Sequence, residues 1–441
     1  MNIGIVGSGY VGLVTGICFA SKNHNVKCVD SDSEKIEMIK NGKSPIHEKG
    51  LETLLVENLL KGTFKATTDF DYTISSSDVI FICVGTPSLP DGSTNYEQIK
   101  NTSKNISKIL KYQNKYKVIV VKSTCLPGTT INEVGSIIKE ESGLELVKEF
   151  GLVMNPEFLR EGDAVNCFLF PDRIVLGVID EKSKDIMLQC YEDFEAPIVI
   201  TDPTTAEMIK YASNSFLATK ISFINEMASL SEKFGTDIVE IAKAIGMDHR
   251  ISEKYLRAGI GWGGSCLPKD VRALLHRAKK EGFSLKILQA VLDTNDLQAL
   301  EAVRLLKDEM EDGNLREKKI TILGLAFKPD TDDIRGAPSI QIIKLLLEEG
   351  AHVVATDPFA INSAKKHISH PNLMYIQKPE EAIENADACI LATEWREFEN
   401  LKPEIFIEKM KQPIIIDGRR IYNHKVFRES GVTYRGIGLG K

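Results

Sequence analysis

Residues 2–12 read NIGIVGSGYVG, a short β-branched run that leads directly into a glycine-rich turn. The run predicts a β-strand, and the apolar residues after the turn predict a helix. Gly7 permits a tight turn, Gly9 lets the backbone approach a pyrophosphate, and Gly12 allows the helix to pack closely on the strand. The segment therefore predicts the opening unit of a dinucleotide-binding α/β domain.

An acidic residue supports this interpretation and selects the dinucleotide. Asp30 ends the next predicted strand, eighteen residues after Gly12. A carboxylate there accepts hydrogen bonds from ribose hydroxyls and repels a 2′-phosphate, so NAD is favoured over NADP. FAD shares the glycine motif, and a glycine-rich turn without a ligand is the other alternative. We expect NAD.

Composition excludes some classes of protein. The chain has 441 residues, 43% of them apolar, and a formal net charge of -7. These values indicate a globular protein of about three domains and argue against a non-specific nucleic-acid binder. No apolar run approaches the ~18 residues of a membrane span, and no targeting segment opens the chain. We expect neither nucleic acid nor a membrane as a partner.

The eight cysteines form no C-x-x-C pair, and the eight histidines show no paired ligand pattern. A disulfide framework is improbable in a long chain with so few cysteines. These features predict a reduced, cytoplasmic setting and no metal site.

The pattern along the chain predicts three domains. Short apolar runs alternate with helical stretches in the first third, which is typical of βαβ units and a parallel sheet. A helical pattern then extends from about Ala206 to Phe234, with a capping-box pattern at Thr204 and Glu207. The sequence KITIL, residues 319–323, restarts an α/β pattern, and the next strand of that pattern ends at Asp357.

The fold class is therefore α/β, with two Rossmann-like domains whose parallel sheets are joined by a helical segment containing one long central helix. The predicted boundaries are 1–200, 201–312 and 313–441. We expect a homodimer formed through the long helix. The second α/β unit lacks two of the three glycines, so a second dinucleotide site is not expected.

The segment GIGWGGSCLPKD, residues 259–270, is unusual because it has four glycines in its first six positions. Such a loop permits close approach of backbone to a ligand. Cys266 follows it and precedes Pro268 and a helical pattern. A thiol near a helix N-terminus and Lys269 is a candidate nucleophile, although a buried inert cysteine fits the spacing equally well.

At this point a resemblance covers essentially the whole chain. The segments GSGYVGLVTG, CVGTPSLPDGS, VKSTCLPGTT, MNPEFLREGDAV, FPDRIVLG, AEMIKYASNSFLA, GWGGSCLPKD and LGLAFKPDTDDIRGAPS occur in this order. Together they resemble the UDP-glucose/GDP-mannose dehydrogenase family. The resemblance implies oxidation of UDP-glucose at C6 to UDP-glucuronate with two NAD⁺. Cys266 would form first a thiohemiacetal and then a thioester, which water hydrolyses.

The same resemblance implies roles for other residues. Lys210 and Asn214, one helical turn apart, would stabilise a developing alkoxide. Asp270 would help to activate water, and Glu161, expected on one helical face with Glu157, would act as an acid/base or water-positioning group. Implied catalytic residues are Cys266, Lys210, Asn214, Asp270, Glu161 and Thr124.

The binding residues are implied in the same way. NAD contacts are expected at Gly7, Gly9, Tyr10, Val11, Gly12, Asp30, Lys35, Thr86, Thr124, Glu161, Lys269 and Arg335. Substrate contacts are expected at Phe158, Leu159, Arg160, Glu161, Lys210, Asn214, Arg250, Tyr255, Leu256, Arg257, Ala258, Gly259, Gly263 and Lys328.

Three other functions remain as alternatives. The first is oxidation of another nucleotide sugar, such as UDP-N-acetylmannosamine or GDP-mannose. The second is a two-electron 3-hydroxyacid dehydrogenase, against which Cys266 and the last α/β domain argue. The third is a non-catalytic nucleotide-sugar sensor, which would not need a lysine, a thiol and an acid together.

Overall fold

The structure is a computed structural model that describes residues 1–440. The chain divides into two compact units, of which the first is Met1–Ser213 and the second begins at Asn214. The three domain boundaries predicted from the sequence stay a prediction.

The first unit is built on an eight-stranded sheet. Its strands are β1 (Asn2–Val6), β2 (Asn25–Val29), β3 (Phe64–Thr67), β4 (Val79–Ile82), β5 (Lys117–Val121), β6 (Phe150–Met154), β7 (Ile174–Val178) and β8 (Ile198–Thr201). Their order in space is β3-β2-β1-β4-β5-β6-β7-β8. Neighbouring strands are parallel except β6 and β7, which are antiparallel. The strand order reverses between β1 and β4, and open α/β sheets bind ligands at such a point.

Eight helices and one π-helical turn complete the first unit. They are α1 (Tyr10–Ser21), α2 (Ser33–Lys40), α3 (Leu51–Lys61), α4 (Phe70–Ser76), α5 (Glu97–Leu110), the π-helical turn Thr130–Gly135, α6 (Ser136–Ser142), α7 (Ala164–Leu169) and α8 (Glu181–Cys190). The sheet has an apolar core on each face, which explains why β4 is apolar at every position: Val79 and Phe81 point into one core, Ile80 and Ile82 into the other.

Four helices follow, of which the first and the last are long: α9 (Pro203–Phe234), α10 (Ile238–Gly246), α11 (Leu267–Lys280) and α12 (Lys286–Glu309). The predicted capping box at the start of α9 is wrong. Asp202 caps the helix instead, accepting the Thr205 amide at 2.9 Å. The Glu207 carboxylate accepts the Gly128 and Thr130 amides at 2.5 and 2.7 Å, and so ties α9 to the loop after β5.

The second unit contains a six-stranded, fully parallel sheet. Its elements are β9 (Lys319–Leu323), α13 (Pro338–Glu348), β10 (His352–Thr356), α14 (Ile361–His367), β11 (Leu373–Tyr375), α15 (Pro379–Ala382), β12 (Ala388–Leu391), α16 (Arg396–Glu399), α17 (Pro403–Lys409), β13 (Ile414–Asp417), α18 (His424–Glu429) and β14 (Thr433–Gly436). The order β11-β10-β9-β12-β13-β14 repeats the order of the first six strands. The predicted fold class is confirmed, with the antiparallel β6–β7 pair as an addition.

Asp357 of the second sheet corresponds in the repeat to Asp30 of the first. It is fully buried, and both carboxylate oxygens accept several hydrogen bonds. The donors, all in the second unit, are the amides of Leu325, Ala326, Phe359 and Ala360 and the indole N–H of Trp395. This carboxylate therefore stabilises the turn of its own unit. Across residues 1–440, no helix is long and apolar enough to cross a membrane.

Candidate active site

The glycine turn between β1 and α1 has a different steric requirement at each glycine. Gly7 has a φ of +102°, and a Cβ there would lie 2.8 Å from the carbonyl oxygen of Cys83. A Cβ on Gly12 would lie 1.9 Å from the Gly7 carbonyl oxygen, so only glycine fits. A Cβ on Gly9 would meet no atom within 4 Å. The space beside Gly9 is therefore open for a ligand to approach the backbone.

The start of α1 offers hydrogen-bond donors to an anion. Gly9 precedes the helix, no side chain caps it, and its first turn contains no acidic residue. Amides at such an end, with the positive end of the helix dipole, bind phosphate groups. The turn therefore fits the pyrophosphate of NAD.

Asp30 is placed to receive the ribose. It is half-buried and accepts hydrogen bonds from the amide and hydroxyl of Ser8, each at 2.7 Å. Burial opposes ionisation, but hydrogen bonds from Ser8 and the Asp32 amide outweigh it and hold the pKa of Asp30 below its ordinary value. An ionised carboxylate with lone pairs to spare fits hydroxyl donors.

Two predicted threonines lie where adjacent strands end. Thr86 follows β4 and donates its hydroxyl to the Thr124 carbonyl, which follows β5, at 2.9 Å. The Ser123 hydroxyl donates to the Val84 carbonyl at 2.6 Å, so the two loops are joined twice. Lys35 lies on the exposed face of α2, 3.5 Å from Asp32.

The loop that carries Glu161 is fixed by two residues from elsewhere in the first unit. The Gly162 amide donates to the Tyr10 hydroxyl and to the Glu48 carboxylate, each at 2.8 Å. Glu48 also accepts the Ala164 amide, where α7 begins. The expectation that Glu157 and Glu161 share a helical face is wrong, because residues 155–163 are not helical.

Glu157, to which the sequence assigned no role, forms a buried ion pair with Lys210. One carboxylate oxygen accepts the Lys210 ammonium at 2.8 Å, and the other accepts the Leu159 amide at 2.6 Å. The two charged side chains are only 5% and 3% exposed. Burial opposes the charge, but Lys210 outweighs it and holds the pKa of Glu157 below its ordinary value. No sequence spacing links residues 53 apart.

The predicted substrate residues Phe158–Glu161 lie together in this loop. The Arg173 guanidinium stacks over the Phe158 ring at 3.9 Å, and the Lys210 ammonium lies 5.5 Å from the same ring. Arg160 is exposed and pairs with Asp163 at 2.6 Å. The loop thus lies among three cations, Arg160, Arg173 and Lys210, and cations of this kind suit a sugar linked to phosphate.

In the second unit, Cys266 lies directly before α11, with Pro268 in the first turn. Its sulfur is 3.5 Å from the Ser265 hydroxyl. The glycine loop before it is closely packed: a Cβ on Gly263 would lie 2.2 Å from the carbonyl oxygen of Gly336. Gly264 has a φ of +88°, and a Cβ there would meet the Phe327 ring at 2.8 Å. The glycines therefore allow the backbone that presents the thiol to pack against the last α/β domain.

Side chains that the sequence did not single out hold this loop. Asn295 accepts the Trp262 amide at 2.7 Å and donates to the Trp262 carbonyl at 3.1 Å. Arg419, following β13, donates to the Gly261 carbonyl at 3.1 Å. The Gly264 amide donates to the Arg335 carbonyl at 2.8 Å.

Asp270 brings three of the predicted residues together. It is 1% exposed and accepts the Lys269 ammonium and the Asn214 amide group, each at 2.6 Å. Lys210 lies one turn before Asn214 on α9, as predicted. The buried carboxylate on α11, the helix that follows the thiol, is thus held by the Lys269 cation of the same helix and by the Asn214 amide of α9.

The other predicted substrate residues have varied settings. Leu256 and Ala258 are buried in the core of the second unit, and the Gly259 amide donates to Asn225 at 2.8 Å. Arg250 is exposed and paired with Asp248. Three further residues are Tyr255, which has a positive φ, exposed Arg257, and Lys328 above the Phe327 ring. Arg335, predicted as an NAD contact, pairs with Asp333. Their ligand contacts stay predictions. No cluster of three or more metal-binding side chains occurs among the described residues.

Three family models match the chain in order. Residues 1–195 match the NAD binding domain of the UDP-glucose/GDP-mannose dehydrogenase family, residues 204–297 its central domain, and residues 321–424 its UDP binding domain.

Known proteins show the same relationship over the whole length. UDP-glucose 6-dehydrogenase TuaD of Bacillus subtilis (strain 168) is 42% identical over 437 residues, covering 99% of this chain and 93% of that protein. The structure of a UDP-glucose dehydrogenase from Pyrobaculum islandicum has a TM-score of 0.92 at 36% identity, covering 99% and 98% of the two chains. That of a UDP-D-ManNAc dehydrogenase from Pyrococcus horikoshii has a TM-score of 0.88 at 29% identity, covering 100% and 99%. The chain therefore belongs to the UDP-glucose/GDP-mannose dehydrogenase family and is an NAD-dependent nucleotide-sugar dehydrogenase.

Proposed function

We propose that the chain oxidises UDP-glucose at C6 to UDP-glucuronate, consuming two NAD⁺ and one water for each sugar. The observation that carries the proposal is the Cys266 thiol at the start of α11, on the same helix as the buried Asp270. A thiol is what a four-electron oxidation needs, because it holds the aldehyde covalently between the two oxidations. The names of the Bacillus and Pyrobaculum relatives support the choice of sugar.

The groups of this chain would act as follows. NAD, when bound at the glycine turn, supplies a hydride acceptor. The Lys210 ammonium and the Asn214 amide donate hydrogen bonds to the C6 oxygen while its proton passes to water and a hydride leaves C6 to the acceptor, which gives the aldehyde. The Cys266 sulfur then adds to the aldehyde carbon, and its proton passes to the carbonyl oxygen, giving a thiohemiacetal. Loss of a second hydride and a proton leaves a thioester.

Hydrolysis of the thioester returns the thiol. Water adds to the thioester carbon, the C–S bond breaks, and the sulfur regains a proton. Asp270, oriented by Lys269 and Asn214, is our choice for the group that accepts the proton of this water. Glu161 and Thr124 are proposed to position the water and the cofactor.

A second nucleotide sugar is the alternative substrate. The relative from Pyrococcus horikoshii, whose structure is close to this one, is described as a UDP-D-ManNAc dehydrogenase. Such substrates share the UDP group and differ in the sugar, so the same thiol chemistry would apply to them.

The stoichiometry of the reaction tests the proposal. With UDP-glucose and excess NAD⁺, we expect two NADH for each UDP-glucuronate, measured by absorbance and by mass spectrometry of the product. UDP-galactose, which differs only at C4, is the matched control and should react poorly. One NADH per sugar with release of an aldehyde contradicts the four-electron reaction, whereas turnover of UDP-N-acetylmannosamine in place of UDP-glucose changes only the substrate.

We also propose that two copies of the chain associate through α9. Phe216, Phe223 and Leu230 follow one another at intervals of seven residues and are 65%, 48% and 43% exposed. This spacing places them along one face of the helix, and exposed apolar stripes of this kind mark interfaces. A second copy fits because a two-fold axis pairs such a stripe with itself.

A charge in this stripe should separate the copies. We expect Phe223→Glu to reduce the molecular mass in solution from that of a dimer to that of a monomer, because the dimer would bury two unpaired carboxylates. Sedimentation velocity measures the mass. Leu60→Glu, which alters an exposed apolar side chain on α3, is the control and should leave the mass unchanged. A wild-type monomer contradicts the proposal.

A further inference from the structure

Residues 251–258, here called the connecting segment, lead from α10 into the glycine loop that precedes the thiol. The segment contains no helix or strand, yet Ser252 and Tyr255 have left-handed backbone, with φ of +63° and +64°. Neither residue is glycine, so this conformation costs free energy and persists only where surrounding contacts hold it. Strain of this kind is typical of loops that bind ligands, and substrate contacts are predicted from Tyr255 onward.

The Lys220 ammonium on α9 holds the first half of the connecting segment. It donates to the carbonyl oxygens of Ile251, Ser252 and Lys254 at 2.9, 3.1 and 2.5 Å. The first two carbonyls belong to the peptide units on either side of Ser252, and the third belongs to the peptide unit before Tyr255. Because an ammonium has three protons, one side chain fixes all three peptide units and with them the two strained residues.

Asn225, further along α9, holds the point where the connecting segment meets the glycine loop. It is 0% exposed, and its side-chain oxygen accepts the Gly259 amide at 2.8 Å. Within residues 1–440 its side-chain nitrogen has no hydrogen-bond partner, and a buried donor of this kind destabilises a fold. The contact with Gly259 is what offsets that cost. The helix α9 therefore holds the connecting segment at both ends.

The side chains between the two anchors alternate in burial. Leu256 and Ala258 are buried in the core of the second unit, whereas Tyr255 and Arg257 are exposed. An aromatic ring can stack on a base, and a guanidinium can bind phosphate oxygens. The exposed side chains thus suit the nucleoside diphosphate of the substrate, provided that the backbone beneath them keeps its conformation.

We propose that Lys220 is a positioning residue, whose ammonium keeps Ser252 and Tyr255 in the left-handed conformation that the bound nucleotide sugar requires. With Lys220 present, the free protein already has the binding conformation. Without it, the segment relaxes to more common backbone angles, and substrate binding must restore them at a cost in affinity. The inference rests on the predicted substrate contacts of residues 255–259, but not on the identity of the sugar or on the number of hydrides transferred.

Initial-rate kinetics of Lys220→Met test the inference, because methionine keeps the apolar stem and removes the ammonium. We expect KM for the nucleotide sugar to rise about tenfold, as for loss of hydrogen bonds from a charged donor. The bound substrate restores the segment before the chemical step, so kcat and KM for NAD⁺ should change by less than about twofold.

Two further substitutions separate positioning from a general loss of structure. Lys220→Arg keeps donors for the carbonyls, so its KM should lie between those of the wild type and Lys220→Met. Ser252→Gly, added to Lys220→Met, should recover part of the lost affinity, because glycine adopts this φ without steric cost. A purely structural role for Lys220 predicts a lower Tm and no recovery of KM.

A variant of the strained residue itself decides the question if Lys220→Met does not fold. In Ser252→Val the β-branched side chain disfavours left-handed backbone, so KM for the nucleotide sugar should rise while kcat is kept. Lys233→Met is the matched control, since it makes the same substitution at an exposed lysine in the last turn of α9, and it should leave KM unchanged.

Hydrogen–deuterium exchange without substrate measures the segment directly. In Lys220→Met the amides of residues 251–258 should exchange faster than in the wild type, while those of α9 stay protected. Unchanged exchange in this segment overturns the inference, and so does an unchanged KM for the nucleotide sugar in Lys220→Met and Ser252→Val.

The position of Lys220 on α9 requires one more measurement, because Phe216 and Phe223 of the proposed dimer stripe lie one turn away on either side. Both variants should keep the mass of the wild type in sedimentation velocity. A KM that rises only where the mass falls assigns the effect to the interface and overturns the inference. All rates are recorded with whichever nucleotide sugar the chain oxidises, so a failure of UDP-glucose as substrate is distinguishable from a failure of this inference.

Discussion

Replacement of Cys266 by Ala should reduce UDP-glucuronate formation by roughly three orders of magnitude or more, as expected when a covalent nucleophile is lost. The variant should fold, because Cys266 is only partly buried and precedes α11 without capping it through its side chain. The first oxidation does not require the sulfur, so slow formation of one NADH per sugar should remain. Mass spectrometry of the product and absorbance of NADH separate the two half-reactions.

A cysteine in a different setting provides the control for this experiment. Cys389 lies in β12, is fully buried and contributes only packing. Cys389→Ala should lower the Tm, since a buried side chain is shortened, but should keep the stoichiometry of two NADH per uronate. Uronate formation by Cys266→Ala at the wild-type rate would show that the thiol is structural.

Replacement of Lys210 by Met should lower both activity and stability. Glu157 would keep its burial and lose its 2.8 Å partner, and breaking a buried pair from one side costs about 3–5 kcal/mol. We expect kcat to fall by roughly 10² to 10³, as for loss of one donor to a developing oxyanion. Chemical denaturation and initial rates measure the two effects separately.

The pH dependence of stability gives this prediction a direction. Because the pKa of Glu157 is lowered in the folded chain, the pair stabilises fully above about pH 4.3 and less as the pH falls through the folded pKa. In Lys210→Met the cation that offsets the effect of burial on Glu157 is missing, so the pKa of Glu157 should rise. A fall in pH should therefore destabilise this variant less than it destabilises the wild type.

A double variant separates structure from chemistry. Glu157→Gln combined with Lys210→Met removes both charges, and we expect it to recover most of the lost stability but none of the lost activity. Equal stability of the single and double variants would contradict the assigned ion pair.

Local features were predictable from the sequence because they depend on neighbouring residues. The glycine turn, β1 and β9 lie at the positions that the apolar runs and the glycines predicted. The end of α9 at Phe234 follows from Gly235, which has a φ of +70°. The parallel pairing of β1 to β6 and of β9 to β14 follows from the alternation of strands and helices.

Features that depend on distant contacts were not predictable. Glu157 and Lys210 meet because the loop after β6 packs against α9, and no residue pattern announces that contact. The same loop is not helical, since Glu157 bonds the Leu159 amide and Glu48 holds the far end at Ala164. Asp202 rather than Thr204 caps α9, because the Glu207 carboxylate that a capping box would need accepts the Thr130 amide instead.

The strands β7 and β8 were missed for another reason. Both are β-branched runs, but β7 is antiparallel to β6 and so lacks the parallel crossover of the earlier strands, whereas β8 pairs parallel with β7 after α8. Asn295 and Arg419, which hold the glycine loop, come from distant parts of the second unit and carry no signal in their own segments.

The different environments of Asp30 and Asp357 limit how the two halves of the chain can be interchanged in protein engineering. Restoring the missing glycines after β9 would leave Asp357 surrounded by four amides and the Trp395 indole, with no surface for a ribose. A second cofactor pocket would require Trp395 and the turn after β10 to be redesigned together. The converse graft, Trp395 beside Asp30, would close the pocket of the first half. The two α/β units thus share a strand order, but the surroundings of Asp30 and Asp357 prevent either unit from taking the role of the other by exchange of a few residues.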